Sequence, residues 1–454
     1  MTKVNEIMPV KLPGITQLPL SDFEAHRANF FDEMEPNSLA FFNAASEVTR
    51  SNDTEFSFCQ NKNFYYLTGF NEPDALLVLL KTNSSQRSIL FSLPKDKNHE
   101  IWHGRRVGQE SACQDYNFDQ SYVLDEVPDL VPQYLSDLKH VYFSFDDQKM
   151  SQQVFTWLSK VRTTIRQGNN VPAILFDASP VINELRLIKN VNEVEVMRQA
   201  NYISGLAHQR AMKQTAVGKF EYQIEAELLH EFSTHGARHP AYASIVAGGN
   251  NANILHYTDN VETLKDNDLL LIDAGGELSG YAADITRTFP INGKFTEPQK
   301  LLYQLVLDTQ LTVISEIKPG MTFAKLNEIA NECLTKGLLD LDILSGDLAQ
   351  LLIDKASKKY FIHGLGHWLG LDVHDVGDYH INENREQTRE FVPGMVLTIE
   401  PGLYMPSDDQ GLAEKWRGIG IRIEDNIVVT ESGNENLTVN SPRTINEIEA
   451  LMKT

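Results

Sequence analysis

Cysteine is scarce in this chain. The 454 residues hold three, Cys59, Cys113 and Cys333, far apart and in no CxxC pattern. Their odd number and wide spacing exclude a disulfide framework and a Cys-ligated zinc site, and they fit a reducing compartment. Long apolar runs are also lacking, and no stretch approaches the roughly 18 consecutive apolar residues of a bilayer span. Met1–Leu20 contains Lys3 and Lys11 but no apolar core of a secretory signal. The expected location is the cytoplasm, with no membrane partner. A basic excess is missing as well: 40 Lys and Arg face 62 Asp and Glu, a formal charge of −22. Such a surface repels phosphate backbones, so nucleic acid is not an expected partner.

What remains is an ordinary globular composition, long enough for roughly two or three domains. The N-terminal part reads as mixed α/β. Apolar strand-like runs at Ala75–Leu80, Ser88–Ser92, His140–Phe145 and Ala173–Asp177 alternate with polar turns. Gln167–Pro172 and Ala178–Pro180 are rich in helix and strand breakers, which places a boundary near residue 180 and domains at 1–180 and 181–454. Beyond it, Val196, Ala200, Ile203, Ala207 and Ala211 recur at helical spacing, as do Ile224, Leu228 and Phe232 ahead of Gly236. Helical runs at Gln299–Ile317 and Phe323–Leu334 share this half with strands at Asp268–Asp273, Ala282–Phe289, Met395–Glu400 and Gly420–Val429. Helices mixed with largely antiparallel strands make an α+β domain.

The chemistry lies at the strand ends. Leu269–Ile272 runs into Asp273, a glycine-rich turn follows, and the chain returns carrying Asp284. A turn centred on Leu278-Ser279 would set Asp273 opposite Asp284. Opposed like charges are destabilising in a sheet, and burial makes them worse unless a cation lies between them. Two surface aspartates beside a turn is the plainer alternative. A second segment, His363-Gly364-Leu365-Gly366-His367 continuing to His374-Asp375-Val376-Gly377, gathers three imidazoles among glycines, which allow close backbone approach. A third strand runs from Met395 into Glu400-Pro401, and a fourth carries Arg422 and Glu424 on one face with Ile421 and Ile423 on the other. Each glutamate alone could be a solvated strand end. Together they give four carboxylates, which offset two divalent cations, and an imidazole, and such an oxygen-rich set favours Mn2+, Fe2+ or Co2+ over a His/Cys zinc site.

The order Asp273, Asp284, His367, Glu400, Glu424 resembles that of the methionyl aminopeptidase/creatinase/prolidase superfamily, the "pita-bread" metallopeptidases. Within it the chain is most similar to the aminopeptidase P (Xaa-Pro aminopeptidase) family. Supporting segments are Ile254–Tyr257, Ile272–Gly275, Ala283–Phe289, His363–Gly377, Thr398–Tyr404 and Gly418–Asp425. Asp53–Glu55, Tyr66–Pro73 and Ile101–Arg106 resemble that family's N-terminal, creatinase-like domain. The resemblance implies a pita-bread catalytic domain behind a smaller α/β domain that serves oligomerisation and substrate-length control. It makes Asp273, Asp284, His367, Glu400 and Glu424 the metal ligands, with Asp284 and Glu424 shared between two divalent ions per subunit. Mn2+ is the first expectation, with Co2+, Fe2+ or Zn2+ as alternatives. It places His256, His363 and His374 in the substrate pocket, has Arg422 brace the carboxylates, and puts Tyr404 and Trp102 near the site.

The implied activity is hydrolysis of the bond between an N-terminal residue and a penultimate proline by a hydroxide bridging the two metals. Glu400 would take the proton and His374 would donate to the oxyanion. The implied partners are peptides with proline second and further copies of the chain, as a tetramer or dimer. Three rivals share the scaffold: a prolidase acting on Xaa-Pro dipeptides, a metal-free creatinase-like hydrolase, and a non-catalytic binding protein.

Overall fold

A computed structural model of the chain describes residues 14–381 and 386–453. The chain divides into two compact units, Leu18–Arg186 and Leu187–Thr454, the second also taking in the N-terminal stretch through Gln17. The division falls at Arg186/Leu187, a few residues beyond the expected position. Ala178–Pro180 is no linker: Pro180 occupies the first turn of the helix Ser179–Leu187, where its missing N–H has no intrahelical partner to lose.

The first unit is built on a six-stranded mixed sheet. Its spatial order is Gln120–Val123, Gln86–Ser92, Leu76–Lys81, Ser38–Asn43, His140–Phe143, Ile174–Asp177. The two central pairings are antiparallel and the outer ones parallel. Ser38–Asn43 and Leu76–Lys81 are apolar on both faces because both are covered. Leu39 and Phe41 face the helices Val127–Leu135 and Gln148–Arg162, through Val131, Leu135, Val154 and Trp157. On the other face, Phe42 meets Phe30 of the helix Leu20–Glu33 edge-to-face at 5.1 Å. The helix Lys97–His103 buries none of its residues, and Ile101 and Trp102 on it are 76% and 84% exposed.

The second unit is α+β, and every strand pairing in it is antiparallel. The helix Val191–Gln214 starts at a capping box in which Asn190 accepts from the Asn192 and Glu193 amides. Its stripe Val196, Ala200, Ile203, Ala207 and Ala211 is fully buried, as its spacing predicts. The helix Glu221–Thr234 likewise buries Ile224, Leu228 and Phe232. Among the described residues, no helix is long and apolar enough to cross a membrane.

Two ribbons carry the acidic residues, and each breaks where an acid sits. In the first, Leu269–Asp273 pairs with Thr286–Pro290, and Gly276–Leu278 pairs with Tyr281–Ala282. The turn is Ser279-Gly280, with φ of 48° and 84°. Two successive positive φ angles make the two-residue type I′ hairpin turn. This shifts the register from the one centred on Leu278-Ser279. Asp273 opposes Thr286, and the same register sets Asp284 opposite Gly275, which presents no side chain. The expected strand Ala282–Phe289 is therefore two strands with Asp284 in the gap.

The second ribbon breaks in the same way. Val396–Ile399 pairs with Asp425–Val429, and Gly402–Met405 pairs with Ile419–Arg422. The register is continuous across the break and puts Glu400 opposite Glu424. Pro401 has no N–H to extend the ladder, so the expected single strand Gly420–Val429 is also interrupted. The displaced amides bond elsewhere: Glu400 N–H to Leu365 O at 2.8 Å and Glu424 N–H to Thr286 O at 3.0 Å.

Gly275 is tightly constrained. A Cβ there would lie 1.7 Å from the carbonyl oxygen of Ala283. Gly275→Ala should therefore destabilise the protein by about 1–3 kcal/mol, the usual cost of forced overpacking. This would be read as a lowered urea midpoint with an unchanged slope. An unchanged midpoint would show that the hairpin absorbs the methyl without strain.

Candidate metal and active site

The Gly-rich segment reaches the site by lying along the strand Val396–Ile399. His367 N–H donates to Thr398 Oγ1 at 3.0 Å, and Thr398 N–H returns to His367 O at 2.9 Å. A Cβ on Gly366 would stand 1.9 Å from Thr398 O, so only glycine permits this approach. The close packing carries His367 over the acidic cluster.

One cavity of about 430 Å³ collects the expected residues. Asp273, Asp284, His367, Glu400 and Glu424 all line it, together with His256, His363, His374 and Arg422. Asp284, His367 and Glu424 offer donor atoms within 4.8 Å of one another. Arg422 is the one Lys or Arg among the lining residues. It donates to Asp273 Oδ2 at 2.7 Å, to Thr286 Oγ1 at 3.0 Å and to the Tyr404 hydroxyl at 2.9 Å.

The buried acids resist ionisation. Desolvation, followed by the charge of Asp273, holds Asp284 well above the usual carboxylate range. Desolvation and the neighbouring Asp284 do the same to Glu424. Glu400 is pushed up to about 8 by burial and by Glu424 opposite it. One guanidinium does not balance four carboxylates.

The imidazole geometry points the same way. His367 Nδ1 lies 2.9 Å from Trp368 O, so Nδ1–H is the donor there and Nε2 is the atom turned to the site. Nε2 faces Asp284 Oδ2 at 3.4 Å and Glu400 Oε1 at 3.6 Å. One ring nitrogen and two carboxylate oxygens turned on one point form a donor set that fits a cation. Four carboxylates and one nitrogen are also the oxygen-rich set that suits divalent ions.

Two further imidazoles, His363 and His374, are pushed toward the neutral form. Burial and the nearby Arg422 drive His363 down to about 3. Its Nδ1–H donates to Gly364 O at 2.7 Å, and its Nε2 accepts from the Tyr404 hydroxyl at 2.7 Å. Arg422, Tyr404 and His363 thus form one directional chain. Desolvation and the imidazoles of His367 and His256 lower His374, whose ring meets that of His367 edge-to-face at 4.4 Å.

Tyr404 and Trp102 stand apart from the other expected residues in how they are placed. Tyr404 is buried and does not line the cavity; it acts behind the wall, on His363 and Arg422. Trp102 belongs to the first unit. Other residues escaped sequence reasoning. The Tyr242 hydroxyl contacts both Asp273 and Asp284, although one O–H can donate to only one of them. His208 is buried, lowered to about 4, and lies 3.0 Å from the carbonyl of Ala274. Tyr379 lines the cavity and stacks on Trp368. Tyr242 could be found only through register: Ile245 opposes Asp273, which brings the residues just before that strand alongside the acids.

The raised Glu400 has a thermodynamic consequence. A carboxyl that binds its proton more tightly when folded stabilises the fold fully below about 4.5, and that contribution is lost as pH rises through about 8. The metal-free protein should therefore lose stability relative to Glu400→Gln across this window. Thermal melts of both proteins at a series of pH values would test this, and parallel curves would contradict it.

Comparisons with known proteins give the family. The model described as metallopeptidase family M24 matches residues 195–431, and the model described as aminopeptidase P, N-terminal domain, matches residues 23–142. The Xaa-Pro aminopeptidase of Escherichia coli K12 is 44% identical over 440 residues, covering 96% of this chain and 99% of that one. That of Haemophilus influenzae is 44% identical over 443 residues, covering 98% and 100%. Zinc-substituted E. coli aminopeptidase P in complex with product matches with a TM-score of 0.93 at 45% identity, over 96% of this chain and 99% of that chain. The order of four acids and one imidazole, the broken ribbons and these likenesses lead to one assignment: the chain belongs to metallopeptidase family M24, in its Xaa-Pro aminopeptidase (aminopeptidase P) branch.

Proposed function

We propose that Asp273, Asp284, His367, Glu400 and Glu424 hold two divalent cations and that the surrounding side chains divide the labour of cleaving the bond before a penultimate proline. The observation that carries this reading is the convergence of all five on one cavity whose acids are not neutralised by protein cations. Asp284 and Glu424 would be shared, Asp273 would serve one ion, and His367 and Glu400 the other. Mn2+ is the favoured metal. When bound, the cations would acidify water to supply a nucleophile near neutral pH and polarise the scissile carbonyl.

The chain's own groups supply the rest. Glu400 takes the proton of the attacking water and passes it to the leaving proline nitrogen. His363 Nδ1 lies 3.6 Å from Glu400 Oε2. His374 donates to the oxygen that gains negative charge. Asp273 lies beside the free amino group of the substrate, which limits removal to one residue. His256 lines the cavity with Leu255 and Tyr379, which offer apolar surface for the proline ring. A tertiary amide has no N–H to recognise, so shape and apolar contact must provide selectivity.

We further propose a cytoplasmic homo-oligomer, tetrameric or dimeric, in which the N-terminal domain limits peptide length through Trp102. Support comes from the exposure of Trp102 and Ile101 on a helix that buries nothing in its own chain.

The test is metal-loaded wild type, Glu400→Ala and Asp284→Ala on an Xaa-Pro-Yaa tripeptide and an Xaa-Pro dipeptide. Wild type should favour the tripeptide, and each variant should lose at least about 100-fold in kcat, the scale of a lost general base. Wild-type turnover in either variant would overturn the assignment of roles. Preference for the dipeptide would favour prolidase activity.

A further inference from the structure

Asp284 occupies a gap in its ribbon, so its peptide group has no strand partner. The side-chain amide of Asn426 takes that place. Asn426 Oδ1 accepts from Asp284 N–H at 2.9 Å, and Asn426 Nδ2 donates to Asp284 O at 2.5 Å. Both contacts are buried, and Asn426 is fully buried. One side chain thus replaces a whole rung of the ladder.

The relationship runs in both directions. Asn426 is two residues after Glu424. Thr286 is two residues after Asp284, and its hydroxyl donates to Glu424 Oε2 at 2.7 Å while accepting from Arg422 Nε. The Thr286 carbonyl also accepts the Glu424 N–H at 3.0 Å. The residue two places beyond each acid therefore holds the other acid. Gln310 ties down the strand ends on the far side: its Nε2 donates to Ile399 O at 3.1 Å and Ile423 O at 3.0 Å, immediately before Glu400 and Glu424.

We propose that Asn426 and Thr286 are reciprocal positioning residues. They fix the separation of Asp284 and Glu424, and so set how tightly the pair of cations is held. The inference rests on the ligand roles assigned under Proposed function. Its physical basis is that neither acid can be placed by its own ribbon. The ladder is interrupted at both positions, mutual repulsion pushes the carboxylates apart, and a buried peptide without partners costs free energy comparable to lost hydrogen bonds. A ligand's outer partners commonly govern 10–100-fold in metal affinity.

The test uses full-length protein stripped of metal, with Mn2+ binding followed by calorimetry and by the Mn2+ electron paramagnetic resonance signal, whose exchange-coupled form reports two ions held close together. Thr286→Val keeps the shape and removes the hydroxyl; Thr286→Ser restores it; Asn426→Ala removes the rung. Thr286→Val and Asn426→Ala should each weaken Mn2+ binding about 10–100-fold and diminish the coupled signal. Thr286→Ser should recover affinity to within about threefold. The metal-free melting of Thr286→Val should stay close to wild type, which separates positioning from general destabilisation. Should Asn426→Ala fail to fold, the Thr286 pair decides.

Asp284→Ala and Glu424→Ala serve as references. If they bind Mn2+ as wild type does, the ligand assignment itself is wrong. If they lose the coupled signal while Thr286→Val and Asn426→Ala keep wild-type affinity and signal, the ligands stand and the reciprocal positioning is overturned.

Discussion

Four carboxylates gathered in one low-dielectric pocket form the constraint that organises the second unit. Each would ionise readily in water, yet burial and mutual repulsion hold Asp284, Glu424 and Glu400 high. The protein supplies a single guanidinium, Arg422, against them. A core arranged for stability alone would not place Glu400 directly opposite Glu424 in a ribbon. The arrangement is reasonable only with additional positive charge between the strands. His367, its Nε2 turned toward Asp284 and Glu400, marks where that charge is expected.

Delivering acids to one point requires interrupting regular structure where they sit. A continuous ladder would pair the backbones of Glu400 and Glu424 and fix their side chains by pleat alone. In the two ribbons, Pro401 and the Ser279-Gly280 turn make the breaks by different means. Pro401 removes a donor at the break, and the turn sets a register that leaves Asp284 opposite a glycine. The freed backbone groups are then taken up by the Gly-rich segment, by Thr286 and by the amide of Asn426. Local irregularity is what allows four strand ends to converge, and it is affordable because nearly every freed group finds a partner.

The sequence made the acids visible more readily than their supports. Asp273, Asp284, Glu400 and Glu424 stand at the ends of apolar runs, and three histidines among glycines are conspicuous. The amphipathic stripe of Val191–Gln214 was likewise plain from its period. The register of the Asp273–Asp284 hairpin was not, since it depended on which two residues adopt positive φ. Ser279 and Gly280 do so, one position later than the centre that would face the aspartates toward each other. Pro180 carries no sharp boundary signal, because proline is compatible with a first helical turn as well as with a linker. Tyr242, His208 and Asn426 carry no local signal. Their roles come from pairings distant in sequence, such as the 142 residues separating Asn426 from Asp284.

The imidazoles also bear on how protons are handled. An acidic cluster would ordinarily raise the pKa of nearby histidines by stabilising their charged form. Here burial outweighs that attraction at His363, which is held to about 3, and desolvation with neighbouring imidazoles lowers His374. Both therefore enter neutral solution as single-proton donors with a defined acceptor side. At His363 that side is already filled by Tyr404, which in turn accepts from Arg422. The chain Arg422–Tyr404–His363–Gly364 can hold only one pattern of donors without leaving a buried group unpaired. His363 is thereby fixed as an orienting group rather than a proton reservoir. In the mechanism proposed above, the carboxylate assigned to carry the proton is Glu400, which lies 3.6 Å from both His367 and His363.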